Sequence, residues 1–356
     1  MDHLTPNPAL YGVPFTADSF NGMPYRLLGR SGLRVSNVGL GAWKIGYPQT
    51  GDGARADEKT AFAIFDRAVE LGATFWDTAN RYNNASGNSE RVIGKWIKAN
   101  PSQRRNVVVA TKVFGGMDGV TPNHSRLSRG NILDSVRACL ARLQVDYIDL
   151  LHFHRYDDDT PVEESFAAIE DLVRQGSVRY FAASNFTVDQ LAVYAAAERS
   201  LSVRVRVLAV QNRFDILNGE AADMPGVLDY AARGGVSFVA WGPLAQGLLT
   251  DRYLDPSKAG KGDRLFDEGT LTKAVSGEKL AKLKKLAALA RDWGMELSQL
   301  AIAYMLTLPG MGPVIASAST VKQIESNAAA GKTKLSIEQM GSICKVLGTN
   351  AAEMPA

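Results

Sequence analysis

The chain has 356 residues, 46% of them hydrophobic and 22% charged, and a formal net charge of +3 spread along its length. This is enough apolar material for a large packed core and excludes a mostly disordered chain. The diffuse charge lacks the clustered basic face of a nucleic-acid binder, and no stretch reaches the ~18 consecutive apolar residues of a membrane span.

Two cysteines, Cys139 and Cys344, allow one disulfide at most and exclude a disulfide-rich secreted scaffold, so a reducing, cytoplasmic setting is expected. The first 24 residues have no basic segment followed by an apolar run. They read as an N-terminal extension rather than a signal peptide, ahead of one domain that runs from residue 25 to a C-terminal tail ending at 356. The first apolar run, Val35–Leu40, is followed by Asp57–Leu71, where Phe62, Phe65 and Val69 recur at helical spacing. Thr74–Trp76 precedes a helix over Ser89–Lys98, and Val107–Ala110 precedes Asn131–Leu143. Tyr147–Leu151 leads to Val162–Arg174, Val178–Ala182 to Val188–Glu198, and Val207–Val210 to Met224–Ala232. Val236–Ala240 is followed by a long connection and two helical stretches, Lys279–Trp293 and Ser298–Leu308. The last unit is Pro313–Ile315 with Val321–Ala330. Gly72, Gly176 and Gly235 fall just past predicted helix ends, where a left-handed residue is favoured. Eight strand–helix units of this kind predict a closed (β/α)8 barrel. An open dinucleotide-binding sheet would carry G-x-G-x-x-G after its first strand; the glycines at 39, 41 and 46 have the wrong spacing.

Active sites of such barrels form at the carboxyl ends of the strands. Those ends read Trp43, Asp77 with Tyr82, Lys112, His154, Ser184 with Asn185, Gln211, Trp241, and Ser317 to Thr320. A phenol titrates near pH ~10 and needs a neighbouring cation to serve as an acid–base group at neutral pH. Lys112 supplies that cation, Asp77 anchors the ammonium, and His154 orients a carbonyl oxygen. His152 and His154 point to the same side of a strand, an arrangement that also suits zinc. A metal-dependent barrel hydrolase would need further ligands, and the other histidines, His3 and His124, follow no strand end.

Four segments resemble the signatures of the aldo-keto reductases, in the family's order: Trp76-Asp77-Thr78-Ala79-Asn80-Arg81-Tyr82, Val109-Ala110-Thr111-Lys112, Asp149 to His154, and Ala183-Ser184-Asn185-Phe186. The resemblance spans about residues 25 to 330. It implies an NAD(P)(H)-dependent barrel that interconverts an aldehyde or ketone and an alcohol. Asp77, Tyr82, Lys112 and His154 would form the catalytic tetrad, with Tyr82 as general acid/base and a small carbonyl compound or alcohol as substrate. Between the two histidines of β-strand spacing, it is the resemblance that places the catalytic one at His154 and implies that His152 lies one layer deeper, as a hydrogen-bonded core residue. The opening segment, Tyr25 to Ser36, is similar to the microbial aryl-alcohol dehydrogenase and potassium-channel β-subunit branches. The second branch carries the alternative of a slow-turnover NADP(H)-binding regulatory module.

The resemblance also distributes the cofactor contacts. Gly41, Ala42 and Trp43 lie beside the nicotinamide, Ser184, Asn185 and Gln211 hold its carboxamide, and Trp241 stacks on its ring. Gly242, Pro243, Leu244, Gln246 and Gly247 match the pyrophosphate-side loop, and Ser317, Ser319, Gln323 and Asn327 the adenine end. Two positions depart from the pattern. Ser317 to Ser319 stand where NADPH-preferring members carry Lys or Arg, and Ser326 stands where a Glu is common. Arg264, or else Lys322, is left to pair with a 2′-phosphate, and on that basis NADP(H) is expected ahead of NAD(H). Specificity is expected in the mouth loops Phe114–Arg129, Phe214–Met224 and Leu254–Gly277.

Overall fold

The computed structural model describes residues 8, 11–12, 18–117, 119–200, 205–275 and 277–349; most of the predicted N-terminal extension and the end of the tail lie outside them. Among the described residues, eight parallel strands close into a barrel. They are β1 (Val38–Gly41), β2 (Phe75–Asp77), β3 (Val108–Val113), β4 (Ile148–Phe153), β5 (Val178–Ser184), β6 (Val207–Asp215), β7 (Ser237–Trp241) and β8 (Met311–Ser317). Neighbours in sequence pair in parallel, with register shifts at Phe181–Ala183 in β5 and Phe238–Ala240 in β7, and β8 pairs with β1, so no edge is left open. The expected (β/α)8 barrel is the observed fold.

Helices α1 (Glu58–Glu70), α2 (Asn88–Ala99), α3 (Arg129–Leu143), α4 (Val162–Arg174), α5 (Val188–Ala197) and α6 (Val227–Gly234) cover the outside. They are followed by α7 (Gly277–Asp292), α8 (Leu297–Met305), α9 (Val321–Lys332) and α10 (Ile337–Leu347). Their starts are capped as the sequence requires: Asp57 accepts from the Thr60 amide, Ser128 from Asn131, and Thr187 forms a capping box with Gln190. Gly72, Gly176 and Gly235 all have positive φ, as their positions past helix ends demanded.

Period-two alternation sorts the strand residues between two cores. Trp76, Val109, Leu151 and Phe153 face outward into the helix-covered core, where Trp76 stacks on Phe65 at 4.6 Å. Phe75, Ala110, Leu150, Ala182, Ala209, Val239 and Ile315 face inward and fill the barrel. The amino-terminal end of that core is closed by Val35, from a three-stranded antiparallel sheet of Ser19–Phe20, Met23–Leu27 and Arg34–Ser36, and by Leu28, just past its middle strand. The predicted run Val35–Leu40 is therefore two elements rather than one strand. The chain turns at Asn37, whose amide donates to the Pro24 carbonyl and whose side chain accepts from Arg26 at 2.8 Å. Strand β6 runs beyond its predicted end at Val210, because it continues past the barrel to pair with Gly219–Glu220. Cys139 and Cys344 are both buried and unbonded to each other.

Candidate active site

One position above Phe75, Ala110, Leu150 and Ala209, the inward side chains become polar: Asp77, Lys112, His152 and Gln211. Lys112 and Asp77 are almost wholly buried, with side-chain exposures of 1% and 3%. The Lys112 ammonium lies 2.5 Å from Asp77 Oδ1, 2.9 Å from the Thr78 carbonyl and 2.9 Å from the Tyr82 hydroxyl. Its three donors are thereby used, which is what an ammonium taken out of water requires. Tyr82 donates to Asp77 Oδ2 at 3.1 Å, and the Gln211 amide donates to Asp77 Oδ1 at 2.8 Å. Tyr82 begins a short helical turn, Tyr82–Ala85, in which Asn83, Asn84 and Ala85 all take left-handed backbone angles. That turn reverses the chain within one residue of the phenol and aims it back over the strand ends.

Charge and burial set the protonation states. Burial, and then Asp77, push the Tyr82 phenol well above its usual range, so it holds its proton at neutral pH. This differs from the expectation that Lys112 lowers it: Asp77 lies against the same hydroxyl, and the site is dry. Burial pulls Lys112 down, opposed by Asp77 and more weakly by Glu90. His154 lies edge-on to Tyr82, ring centroids 6.0 Å apart. Burial, and then the Lys112 charge, pull its imidazole down to about 3, so it is neutral.

The remaining strand ends form a second layer. Asn185, in a left-handed conformation at φ 57°, donates to the His154 carbonyl at 2.9 Å and to Ser184 Oγ at 3.1 Å. Ser184 donates to the Gln211 carbonyl, and the Trp241 indole donates to Asn185 Oδ1 at 3.3 Å. Asp77, Tyr82, Lys112, His154, Ser184, Asn185, Gln211 and Trp241 are thus one connected patch. Gly41 faces Ser317 across β1 and β8, and a Cβ there would sit 2.8 Å from Ser317 Oγ, so glycine serves the close approach of those two strands. Ala42 joins that edge to the tetrad through its amide, which donates to the Asp77 carbonyl at 2.8 Å.

Two predicted groups stand apart from this patch. Gln323 accepts from both the amide and the hydroxyl of Ser319, and Asn327 donates to the Ser317 carbonyl, so these four make their own cluster at the end of β8. Gly242 to Gly247 form a tight turn after β7, with left-handed angles at Gly242, Ala245, Gln246 and Gly247. Pro243 and Leu244 lie within it, and Leu244 accepts from the Gly247 amide at 2.8 Å. Arg264 is paired with Glu268 at 2.9 Å, and its guanidinium lies 4.8 Å from the centroid of Trp43. Lys322 is exposed.

His152 corrects one expectation. It is buried, and neither ring nitrogen makes a hydrogen bond of good geometry among the described residues; its nearest polar contact is the Thr111 backbone. Among the described residues no group of three or more His, Cys, Asp or Glu is arranged to hold a metal ion. Sequence reasoning also missed Glu90. This wholly buried carboxylate accepts from Thr111 at 2.6 Å and pairs with Arg142 at 2.6 Å, immediately behind Lys112. Its signal was there: Glu90 falls on the apolar stripe with Ile93 and Ile97, where an unpaired charge would be costly.

The aldo/keto reductase family model matches residues 37–347. The chain belongs to the aldo-keto reductase family. It is 34% identical to an uncharacterised oxidoreductase, YrpG, of Bacillus subtilis, over 94% of this chain and 98% of that protein. It is 33% identical to the aldo-keto reductase AMT2 of Alternaria alternata, covering 85% of each. A probable voltage-gated potassium channel subunit beta of Oryza sativa is 31% identical over 86% of this chain and 90% of that protein. The aldo-keto reductase barrel here therefore has both oxidoreductase-named and channel-subunit-named relatives. No helix among the described residues is long and apolar enough to cross a membrane.

Proposed function

We propose that this aldo-keto reductase reduces an aldehyde or ketone to an alcohol with an NAD(P)(H) cofactor, and that Tyr82 is its general acid. The observation that carries the reading is the Lys112 ammonium, bonded at once to Asp77 at 2.5 Å and to the Tyr82 hydroxyl at 2.9 Å. A phenol that keeps its proton at neutral pH can give it to a carbonyl oxygen as negative charge develops there. The phenolate left behind faces an ammonium already in place, so stabilisation grows as the proton leaves and needs no rearrangement. Neutral His154, beside the phenol, orients the carbonyl oxygen by a hydrogen bond and adds no charge. In the oxidative direction the same atoms run in reverse.

The residues present fit a nicotinamide dinucleotide. Trp241 is 38% exposed at the mouth and offers a ring face; Trp43, 40% exposed, carries the Lys44 and Arg264 cations against its ring. Ser184 and Asn185 place a hydroxyl and an amide beside Trp241 and suit a carboxamide. The turn from Gly242 to Gly247 uses its Ala245 and Gly247 amides internally and leaves those of Leu244 and Gln246, in a run of left-handed residues, to suit the pyrophosphate. When bound, the cofactor supplies the hydride. Arg264 is the cation we assign to a 2′-phosphate, and it supports NADP(H) over NAD(H); Ser317, Ser319, Gln323 and Asn327 would hold the adenosine end.

Tyr82→Phe tests the assignment. Turnover of an aromatic aldehyde panel with NADPH should fall by about 10²–10⁴, the worth of a positioned acid, while NADPH binding followed by fluorescence stays unchanged. Equal turnover in the variant would sink the proposal. The channel-subunit-named relatives favour a second reading, a slow NADP(H)-binding module. It is supported if the wild-type protein retains NADP(H) tightly yet shows negligible turnover across the panel.

A further inference from the structure

Tyr82 belongs to no strand. β2 ends at Asp77, and the phenol is carried by the turn that leads to α2. The three residues after it, Asn83, Asn84 and Ala85, are all left-handed, with φ of 57°, 57° and 60°. Each of these angles is costly for a residue with a Cβ, most of all for alanine, and such a run persists only where the surroundings over-determine it.

The loop after β1 over-determines it. The buried Asn83 side chain donates to the Ile45 carbonyl, and Asn84 donates to the Gly51 carbonyl at 3.2 Å. Beyond the turn, Asn88 donates to Asp52 Oδ2 at 2.9 Å. Asp52 is also buried, and it accepts from the Tyr47 and Ala54 amides at 2.8 and 2.9 Å, which ties the loop into one piece. None of those three partners lies in the reacting centre. Gly46 sits where the loop meets the turn. A Cβ there would come within 2.5 Å of Asp52 Oδ2 and 2.6 Å of Asn83 Nδ2, so glycine serves the close approach. The root of the loop is fixed to β2 itself, since the Ala42 amide donates to the Asp77 carbonyl. One loop therefore grips the chain at Asp77 and again at Asn83, and Tyr82 lies in the short span between.

We propose that Asn83 is a positioning residue for the phenol: its bond to Ile45, on a loop held in shape by Asp52, keeps the Tyr82 turn in place over the strand ends. The proposal rests on the reading of Tyr82 as general acid. Misplacing a reacting group by about 1 Å can cost about a hundredfold in rate, so a brace acts on the proton transfer without touching it.

Asn83→Gly tests it, because glycine accepts the left-handed angle and only the side-chain bond is lost. With NADPH and an aromatic aldehyde, kcat should fall about tenfold to a hundredfold while KM stays at the wild-type value, the pattern of an interaction felt in the transition state. Asp52→Asn should act in the same sense and by less, and it carries the test if Asn83→Gly does not fold. A second readout needs no turnover. Protein grown with tyrosine carrying carbon-13 at Cζ gives a Tyr82 resonance, identified by its absence in Tyr82→Phe. Burial and Asp77 hold the wild-type phenol protonated beyond pH ~10. In Asn83→Gly the resonance should shift at neutral pH and titrate nearer that value. Asp77, Lys112 and His154 face the phenol in both proteins, so the change reports its placement. An unchanged kcat overturns the proposal, as does a lower melting temperature with an unmoved resonance, or a loss carried by KM alone. Wild-type turnover in Tyr82→Phe would instead sink the general-acid reading, and the resonance would then decide by itself whether Asn83 holds the phenol.

Discussion

On the inner face of β3 the Lys112 ammonium meets Asp77 at 2.5 Å; one residue earlier, on the outer face, Thr111 donates to Glu90, which is paired with Arg142 at 2.6 Å. Both pairs are dry, and both carry the penalty of taking two charges out of water. They differ in what is left over. Glu90 receives Thr111 on one oxygen and Arg142 on the other, and helices α2 and α3 close over the pair. The inner pair has a third member, the Tyr82 hydroxyl, on a residue that is partly exposed as a whole. A closed buried pair fixes how two helices meet. A buried pair with such a third member is what the proposed acid chemistry uses. The two faces also communicate, since the Glu90 charge helps keep the Lys112 ammonium protonated against the pull of burial.

The largest effect should come from breaking the inner pair. Lys112→Met leaves the Asp77 carboxylate buried without its cation, at a cost of about 3–5 kcal/mol in denaturant unfolding. Turnover should fall at least as far as in Tyr82→Phe. Adding Asp77→Leu should return most of the stability and none of the turnover, separating charge burial from chemistry. If Lys112→Met alone keeps wild-type stability, the inner pair is not the dry ion pair described. Glu90→Gln breaks the outer pair and leaves Arg142 unmatched. It should cost about 3 kcal/mol, the low end for a buried pair because Arg142 keeps its contact to Cys139 Sγ, and leave kcat within about threefold. A loss of kcat comparable to Tyr82→Phe would erase the distinction between the faces.

The inner face was far more legible in the sequence than the outer one, and the reason is geometric. Asp77, Lys112, His154 and Gln211 all stand at strand ends, and in a parallel barrel every strand end converges on one mouth, so chain position alone assembles them. Glu90 and Arg142 lie on two different helices, and nothing in local spacing says that α2 meets α3 at those residues. The rise of the Tyr82 phenol was missed because its chief cause is burial, and a strand-end position in the sequence does not say how deeply the phenol is enclosed. The split of Val35–Leu40 was missed because the turn rests on Asn37 and Arg26, a long-range polar contact invisible to hydrophobic periodicity. The poor hydrogen bonding of His152 depends on how neighbouring strands surround it, which chain position does not specify.

Acid titration sharpens the inner-face picture next. An unfolded imidazole titrates near pH ~6.5, whereas His154 is pulled down to about 3 and His152 well below its usual value, both chiefly by burial. Below about pH 6.5 the unfolded chain therefore takes up protons that the native state refuses, and stability falls as pH falls through this window. Above it these groups contribute no pH dependence. The urea midpoint should decline between pH 6.5 and 4. His152→Leu, which removes a buried ring that makes no hydrogen bond of good geometry, should make that decline shallower at little cost near neutrality. A midpoint independent of pH in the wild-type protein would mean that the histidines are not held neutral.

Arg264 extends the comparison to a pair at the rim. Its salt bridge to Glu268 joins side chains that are 24% and 35% exposed, and its guanidinium rests beside Trp43. Exposed pairs of this kind contribute about 0–1 kcal/mol, so Arg264 can leave Glu268 for a better acceptor at little cost. A 2′-phosphate is such an acceptor, and one charge-assisted bond to it corresponds to about a tenfold change in affinity. Arg264→Ala should thus weaken NADPH binding by about tenfold, leave NADH binding unchanged, and barely move the melting temperature. Equal losses for the two cofactors would assign Arg264 to holding the Trp43 wall in place. No loss for either would leave Lys322 as the candidate cation, and Lys322→Ala measured alongside decides between them.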